Sequence, residues 1–337
     1  YPALALTDHN GLNGAVRFWL AAKARGLKPI AGAEDTLAEG YHLTLLAENL
    51  RGYANLWRII SMGQLAGHKE QPRLTLETIE RHADGLLCLS GCRQGAVASA
   101  LLVKDEPRAR RTAGKLREIF PHDCFWVEVQ RHYLPTDVRL TTALIALAKW
   151  LGVGVVATNN VHYSERSGQR LHDVLTCIRH RTNLPEALAG GLLHPNSEQF
   201  LKSHREMVAL FSELPHALKN TLLIAERCDV SLDFSAKRLP TFPVPDGHTL
   251  ITYLRHLCKA GLDRKYNPIP AQARAQLAHE LTVIERTGLA GYFLVVWDIV
   301  RFAREQGIRC QGRGSAANSL VAYLLDITPV DPLRHNL

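Results

Sequence analysis

Ala3-Leu4-Ala5-Leu6-Thr7-Asp8-His9-Asn10 and Lys28-Pro29-Ile30-Ala31-Gly32-Ala33-Glu34 are two short apolar runs, each turning polar where it ends. Between them Val16, Trp19, Leu20 and Lys23 follow a 3.6-residue period, so a helix joins two buried strands. The same alternation continues outward. Strand candidates fall at 3–8, 28–33, 41–47, 86–90, 124–130 and 153–158, and helix candidates at 11–25, 51–62, 75–82, 107–119 and 138–151. This order predicts an α/β fold. Six strands with helical crossovers fit an α/β barrel lacking its first strand better than an open sheet.

From about residue 165 the pattern becomes helical, with helices expected at His172–Arg179, Ser203–Phe211 and His216–Cys228, broken at Asn196-Ser197 and Leu214-Pro215. Leu239-Pro240-Thr241-Phe242-Pro243-Val244-Pro245-Asp246-Gly247 reads as an extended linker. Helices follow near 249–264, 271–287 and 291–306, then a glycine-rich turn and another helix from about 315. The organisation predicted is a first domain over 1–165, a helical connector over 166–238, a linker over 239–248 and a second domain over 249–337.

The chain has 337 residues, 46% of them hydrophobic, enough for full cores and too apolar for a disordered protein. Seven cysteines without a Cys-x-x-Cys argue against a disulfide framework or a zinc ribbon, and for a reducing cytosol. No apolar run approaches the ~20 residues of a membrane helix. A cytoplasmic protein is expected, with no membrane partner. Tyr1 opens inside a strand pattern and Leu337 closes without a cap, as expected of a piece of a longer protein.

In α/β barrels the polar residues just past strand ends face the mouth where active sites form. His9, Glu34, Cys92 and His162 each follow a strand candidate, and converging there they would suit Zn²⁺ or Mn²⁺. In the second domain, Cys310-Gln311-Gly312-Arg313-Gly314-Ser315-Ala316-Ala317-Asn318-Ser319 offers flexible glycines, a guanidinium and two hydroxyls. A helix over Ala316–Leu325 would add its positive end, which together make a triphosphate cradle. The pattern is neither a Walker A loop nor a dinucleotide fingerprint. Arg301, Arg304 and Arg309 lie nearby, placed to meet DNA phosphates, and Arg301 can pair with Glu305 at i,i+4. The basic runs around Arg108–Arg117 and Arg170–Arg181 read as solvated helix faces. The net charge of +8 agrees with a nucleic-acid partner without requiring one.

Ala5-Leu6-Thr7-Asp8-His9, Gly32-Ala33-Glu34, His42-Leu43-Thr44-Leu45-Leu46-Ala47, Ser90-Gly91-Cys92 and Thr158-Asn159-Asn160-Val161-His162-Tyr163 resemble the polymerase-and-histidinol-phosphatase (PHP) domain that opens bacterial DNA polymerase III alpha subunits. Glu280–Gly288, Gly291–Val300, the glycine turn and Ile327–Leu333 look like the start of the palm of the same C-family polymerases. Cys310-Gln311 and Asn318 look like its error-prone branch.

The resemblance implies a truncated, distorted (β/α)7 PHP barrel, a helical connector and the beginning of a nucleotidyltransferase-like palm. It implies PHP metal ligands at His9, Glu34, His42, Cys92, Asn160 and His162, and triphosphate binding by Gly312, Arg313, Gly314, Ser315 and Ser319. Primed template DNA and deoxynucleoside triphosphates are the implied partners, with a sliding clamp and error-prone repair accessory proteins. Mg²⁺ is the implied polymerase cofactor, and replication, repair and damage tolerance the implied setting.

This sequence departs from the family at three points. It has no His-x-His, it carries Asn160 where the family has Asp, and His42 opens its strand instead of closing it. The Pro-Asp-x-Asp-x-Asp catalytic motif is absent. The fragment is therefore expected to be inactive as a polymerase and weak or inactive as a phosphoesterase. Two alternatives stay open: a free-standing PHP-type phosphoesterase, and a non-catalytic DNA-binding scaffold.

Overall fold

The computed structural model describes residues 1–68, 72–121, 123–233 and 241–337. The chain divides into two compact units, Tyr1–Leu232 and Asp233–Leu337. The predicted end of the connector at 238, and the first two linker residues, 239 and 240, lie outside the described residues.

The first unit is mixed α/β. Its strands are β1 (Ala3–His9), β2 (Lys28–Thr36), β3 (His42–Ala47), β4 (Leu86–Leu89), β5 (Phe125–Gln130) and β6 (Gly154–Thr158). All six match the expected runs to within a few residues. Its helices are α1 (Ala15–Lys23), α2 (Leu50–Ala66), α3 (Leu76–Arg81), α4 (Ala96–Leu102), α5 (Glu106–Ile119), α6 (Asp137–Leu151), α7 (Gly168–His180), α8 (Leu184–Ala189), α9 (His204–Leu210) and α10 (Pro215–Arg227). Helices α4 and α8 were not expected. The α4 sequence Ala-Val-Ala-Ser-Ala-Leu-Leu has almost no polar face to set a period, because most of it is buried. Helix α8 has only six residues and begins with Pro185 in its first turn.

The sheet keeps chain order, β1 to β6. β1–β2, β4–β5 and β5–β6 are parallel, whereas β2–β3 and β3–β4 are antiparallel. Helical crossovers at every step are therefore corrected at β3. Residues 37–41 between β2 and β3 are too few for a crossover helix, and a chain turning that tightly must return antiparallel.

From β2 to β6 the sheet is buried on both faces, so these strands read as continuous apolar runs. One face sets Leu45, Cys88, Val127 and Val155 against α2, α5 and α6. The other sets Ile30, Leu87, Trp126 and Val156 against Ile224 and Ala225 of α10. Leu45, Leu87 and Phe125 are almost fully enclosed, each worth about 1.5–3 kcal/mol of burial. Helix α10 lies against both edge strands, β6 and β1, and Asn220 Nδ2 donates to Val155 O at 2.7 Å. The segment expected as a connector thus packs into the first unit up to residue 232.

The second unit holds α11 (Leu250–Lys265), α12 (Ala271–Thr287), α13 (Ala290–Glu305), a 3-10 turn (Gly314–Asn318) and α14 (Leu320–Leu324). Thr249 caps α11 in a capping box with Thr252. Leu254, Cys258, Leu281, Leu294, Leu320 and Leu324 make the core. Gly261 allows α11 and α14 to touch, since a Cβ there would sit 2.3 Å from Leu324 O. The single helix expected over 316–325 is corrected to a 3-10 turn followed by a five-residue helix.

Candidate functional site

The first candidate centre stands at the C-terminal ends of β1 and β2. Parallel pairing sets His9 opposite Glu34. Antiparallel pairing sets His42 opposite Thr36, so the start of β3 lies beside the end of β2. That answers the question of how a residue opening its strand can reach the mouth. Glu34 Oε1 lies 3.2 Å from His9 Nδ1 and 3.1 Å from His42 Nδ1. Thr36 Oγ1 lies 2.9 Å from His9 Nε2, and Cys92 Sγ lies 3.4 Å from His42 Nδ1. One ligand atom from each of His9, Glu34 and His42 falls within 4.8 Å of the others.

Gly91 makes this approach possible: at φ +85°, its place for a Cβ is 2.5 Å from His42 O. Burial acts to raise the Glu34 carboxyl, but hydrogen bonds from His42 and His9 outweigh it and hold the group well below the usual carboxylate range. The neighbouring Asp35 is pushed up to about 7, chiefly by burial. Burial and the Glu34 charge raise the Cys92 thiol. Two imidazoles and a carboxylate, with a thiol alongside, are a donor set that fits a divalent ion such as Zn²⁺.

His162 lies outside that 4.8 Å grouping. Asn160 sits in the left-handed region at φ 44°. The His162 ring packs instead against His172 and His194, with ring centroids 5.3 and 4.7 Å away. His172 and His194 are 4.7 Å apart, and all three offer ligand atoms within 4.8 Å of one another. His162 is exposed as a residue, yet its ring is hemmed in. Burial and the adjacent His172 bring it down to about 4, against the pull of Glu34. Burial followed by His162 and His172 brings His194 down to about 4, and burial lowers His172. These residues escape sequence reading because positions 162, 172 and 194 share no helical or ligand-motif spacing. Any of sixteen histidines could have served.

In the second unit, Arg313, Gly314 and Ser315 are exposed, with Gly314 at φ +62°. The Gly312 N–H donates to Ile327 O at 2.8 Å and anchors the turn. Ser319 is committed elsewhere: it caps α14 and donates to Glu280 Oε2 at 2.8 Å. The Glu280 carboxylate also accepts from the N–H groups of Leu320 and Val321, at 2.9 and 3.0 Å. The helix terminus expected to receive an anion already holds a carboxylate from α12.

Of the nearby arginines, Arg301 pairs with Glu305, as its spacing predicts, and with Asp298. Arg304 Nη2 donates to Asp326 O at 2.7 Å. Arg304 and Arg309 line a shallow open depression with Gly307, Ile308, Cys310 and Gln311. On α5, Arg110 pairs with Glu106 and Arg108 with Asp105, as on a solvated face.

Similarity to known proteins runs through both units. The PHP domain family matches residues 1–132, and the bacterial DNA polymerase III alpha NTPase domain matches residues 252–337. An error-prone DNA polymerase from Symbiobacterium thermophilum is 44% identical over 356 residues, covering 100% of this chain and 32% of that protein. An error-prone DNA polymerase from Mycobacterium bovis is 41% identical, covering 99% of the chain and 32% of its own length. The DNA polymerase III subunit alpha of Borreliella burgdorferi is 36% identical, covering 99% and 30%. The chain spans about a third of the length of these relatives. No described helix is long and apolar enough to cross a membrane. Two domain models thus match in order, and along its whole length the chain is similar to bacterial DNA polymerase III alpha subunits and error-prone DNA polymerases.

Proposed function

We propose that this chain is the front part of an error-prone, DNA-directed DNA polymerase acting in cytoplasmic replication and repair of damaged DNA. The full protein carries out template-directed nucleotidyl transfer on primed DNA with Mg²⁺. The observation that carries this reading is the exposed Arg313-Gly314-Ser315 turn, free of ion pairs among the described residues and rooted by Gly312 in the second core. Its guanidinium suits triphosphate oxygens, and its hydroxyl and backbone N–H groups can close around them. The identities of 44% and 41% with error-prone polymerases, against 36% with an alpha subunit, favour the error-prone branch.

In this reading Ser319 and Glu280 are positioning residues. They hold α14 in place beneath the turn and do not touch the nucleotide. Arg309 meets the DNA backbone, while Arg301, tied to Asp298 and Glu305, and Arg304, tied to Asp326, contribute less. The first unit serves chiefly as structure. His9, Glu34 and His42, with Cys92 beside them, would hold its divalent ion, Zn²⁺ or Mn²⁺. When bound, such an ion supplies Lewis acidity and a more acidic water. Glu34 orients both imidazoles, and Thr36 fixes the His9 ring.

Primer extension by the full-length polymerase tests the assignment. Arg313→Ala should raise KM for the incoming nucleotide at least tenfold with template binding unchanged. An unchanged KM would remove the turn from nucleotide binding. The 337-residue chain alone should add no nucleotide to a primed template, and extension by it would overturn the reading.

A further inference from the structure

Helix α7 is built inside out. Its inward side carries His172, Asp173 and Thr176, and Cys177 is its one buried residue. The His172 and Asp173 side chains are 25% and 18% exposed, whereas Leu171 and Ile178 are 65% and 67% exposed. Val174 and Leu175 are exposed with them. Positions 171, 174, 175 and 178 follow the i, i+3, i+4, i+7 spacing of one helix face, so the apolar stripe points outward. Helix α8, packed against α7, exposes Leu184 and Leu188 as well. By contrast, α13 exposes Ile299 and Phe302 but also buries Leu294, Val300 and Ala303. With its polar residues inside, α7 leaves its apolar surface in water until something covers it.

The stripe is bordered by charge of one sign. At about 100° per residue, Arg170 and Arg179 stand just beyond its two edges, and Arg181 follows at the helix end. All three are exposed, and none forms an ion pair among the described residues. On α5, Arg108 and Arg110 are matched by Asp105 and Glu106 on their own helix. The run over 170–181 therefore differs from an ordinary solvated face, because its unmatched charges flank apolar surface.

We propose that the α7 stripe seats an amphipathic helix from the part of the polypeptide outside these 337 residues, with acidic residues along both edges of its apolar face. The chain spans about a third of the length of the relatives it matches, so most of their length lies beyond it and can supply that helix. The same face of a second copy would set arginines against arginines. Carboxylates at the edges would instead pair Arg170 and Arg179 around a dry apolar centre and fix the register of the contact. The proposal rests on the reading of this chain as the front part of a longer polymerase.

Hydroxyl-radical footprinting of the full-length protein, read by mass spectrometry, tests it. Primer extension run in parallel checks the polymerase reading separately. Leu171, Leu175 and Ile178 should react several-fold more slowly than in the 337-residue chain, at rates near that of Leu45, which is buried in the first core. Arg170→Glu/Arg179→Glu in the full-length protein should speed their reaction several-fold while Leu45 stays slow. A full-length protein that extends primers, yet whose three side chains react as fast as free leucine and isoleucine, overturns the proposal. So does protection that fades on dilution, which marks a second copy. Protection that the double charge reversal leaves untouched overturns it as well.

Discussion

The mouth of the β-sheet and the glycine turn of the second unit are built in opposite ways. At the mouth, His9, Glu34, His42 and Cys92 come from four separated stretches, and strand register brings them together. In the turn, Gly312 to Ser315 are consecutive, and the fold's contribution is to root them from below through Ile327. A site assembled by register is sensitive to changes in backbone packing near it. A site carried by one short segment is sensitive mainly to the contacts that hold that segment.

Gly91→Ala attacks the first kind of site most directly. It forces a left-handed residue and a methyl group 2.5 Å from His42 O. A loss of about 3 kcal/mol is expected, read as a fall in the urea midpoint. A variant as stable as the parent would mean that register tolerates far more slack than this contact suggests.

Glu280→Ala attacks the second. It leaves the Leu320 and Val321 N–H groups and the Ser319 hydroxyl without their carboxylate. The expected loss is about 2 kcal/mol, confined to amide exchange in the second unit. Exchange unchanged around α14 would show that the cap contributes nothing.

A smaller, pH-gated effect belongs to Glu198 in the first unit. Burial raises its carboxyl, but Arg166 and Lys202 outweigh that and hold it below the usual carboxylate range. Its contribution is therefore complete above the unfolded pKa of about 4.3 and disappears as pH falls through the lower native value. Glu198→Gln should remove that part of the acid-side slope of stability against pH. A slope identical to the parent's would sever the link.

The smallest effect is expected at Arg301→Ala, where the pairs with Asp298 and Glu305 are exposed and screened by solvent, so the melting temperature should match the parent's. A clear fall in melting temperature would show that α13 depends on its charged face.

Strand and helix positions were legible in the chain because burial and period are local properties. Runs such as Leu86–Leu89 and Phe125–Gln130 must be strands in a two-faced sheet, and α11 to α13 carry a clear apolar stripe. His9 and Glu34 were legible as strand-end polar residues for the same reason. His42 was not, except by resemblance, because its place at the mouth depends on β3 running backwards, a consequence of pairing partners.

Glu280 reaches α14 across 40 residues of chain, and no local pattern announces a carboxylate that will occupy a distant helix terminus. His172 and His194 are the extreme case: nothing in their spacing joins them to His162, and only the packing of α7 against the loop after α8 does. Hydrophobic period thus determined which segments are strands and helices. The direction of each strand, and which polar side chains meet, were decided by tertiary structure, because long-range pairing leaves no periodic trace in the chain.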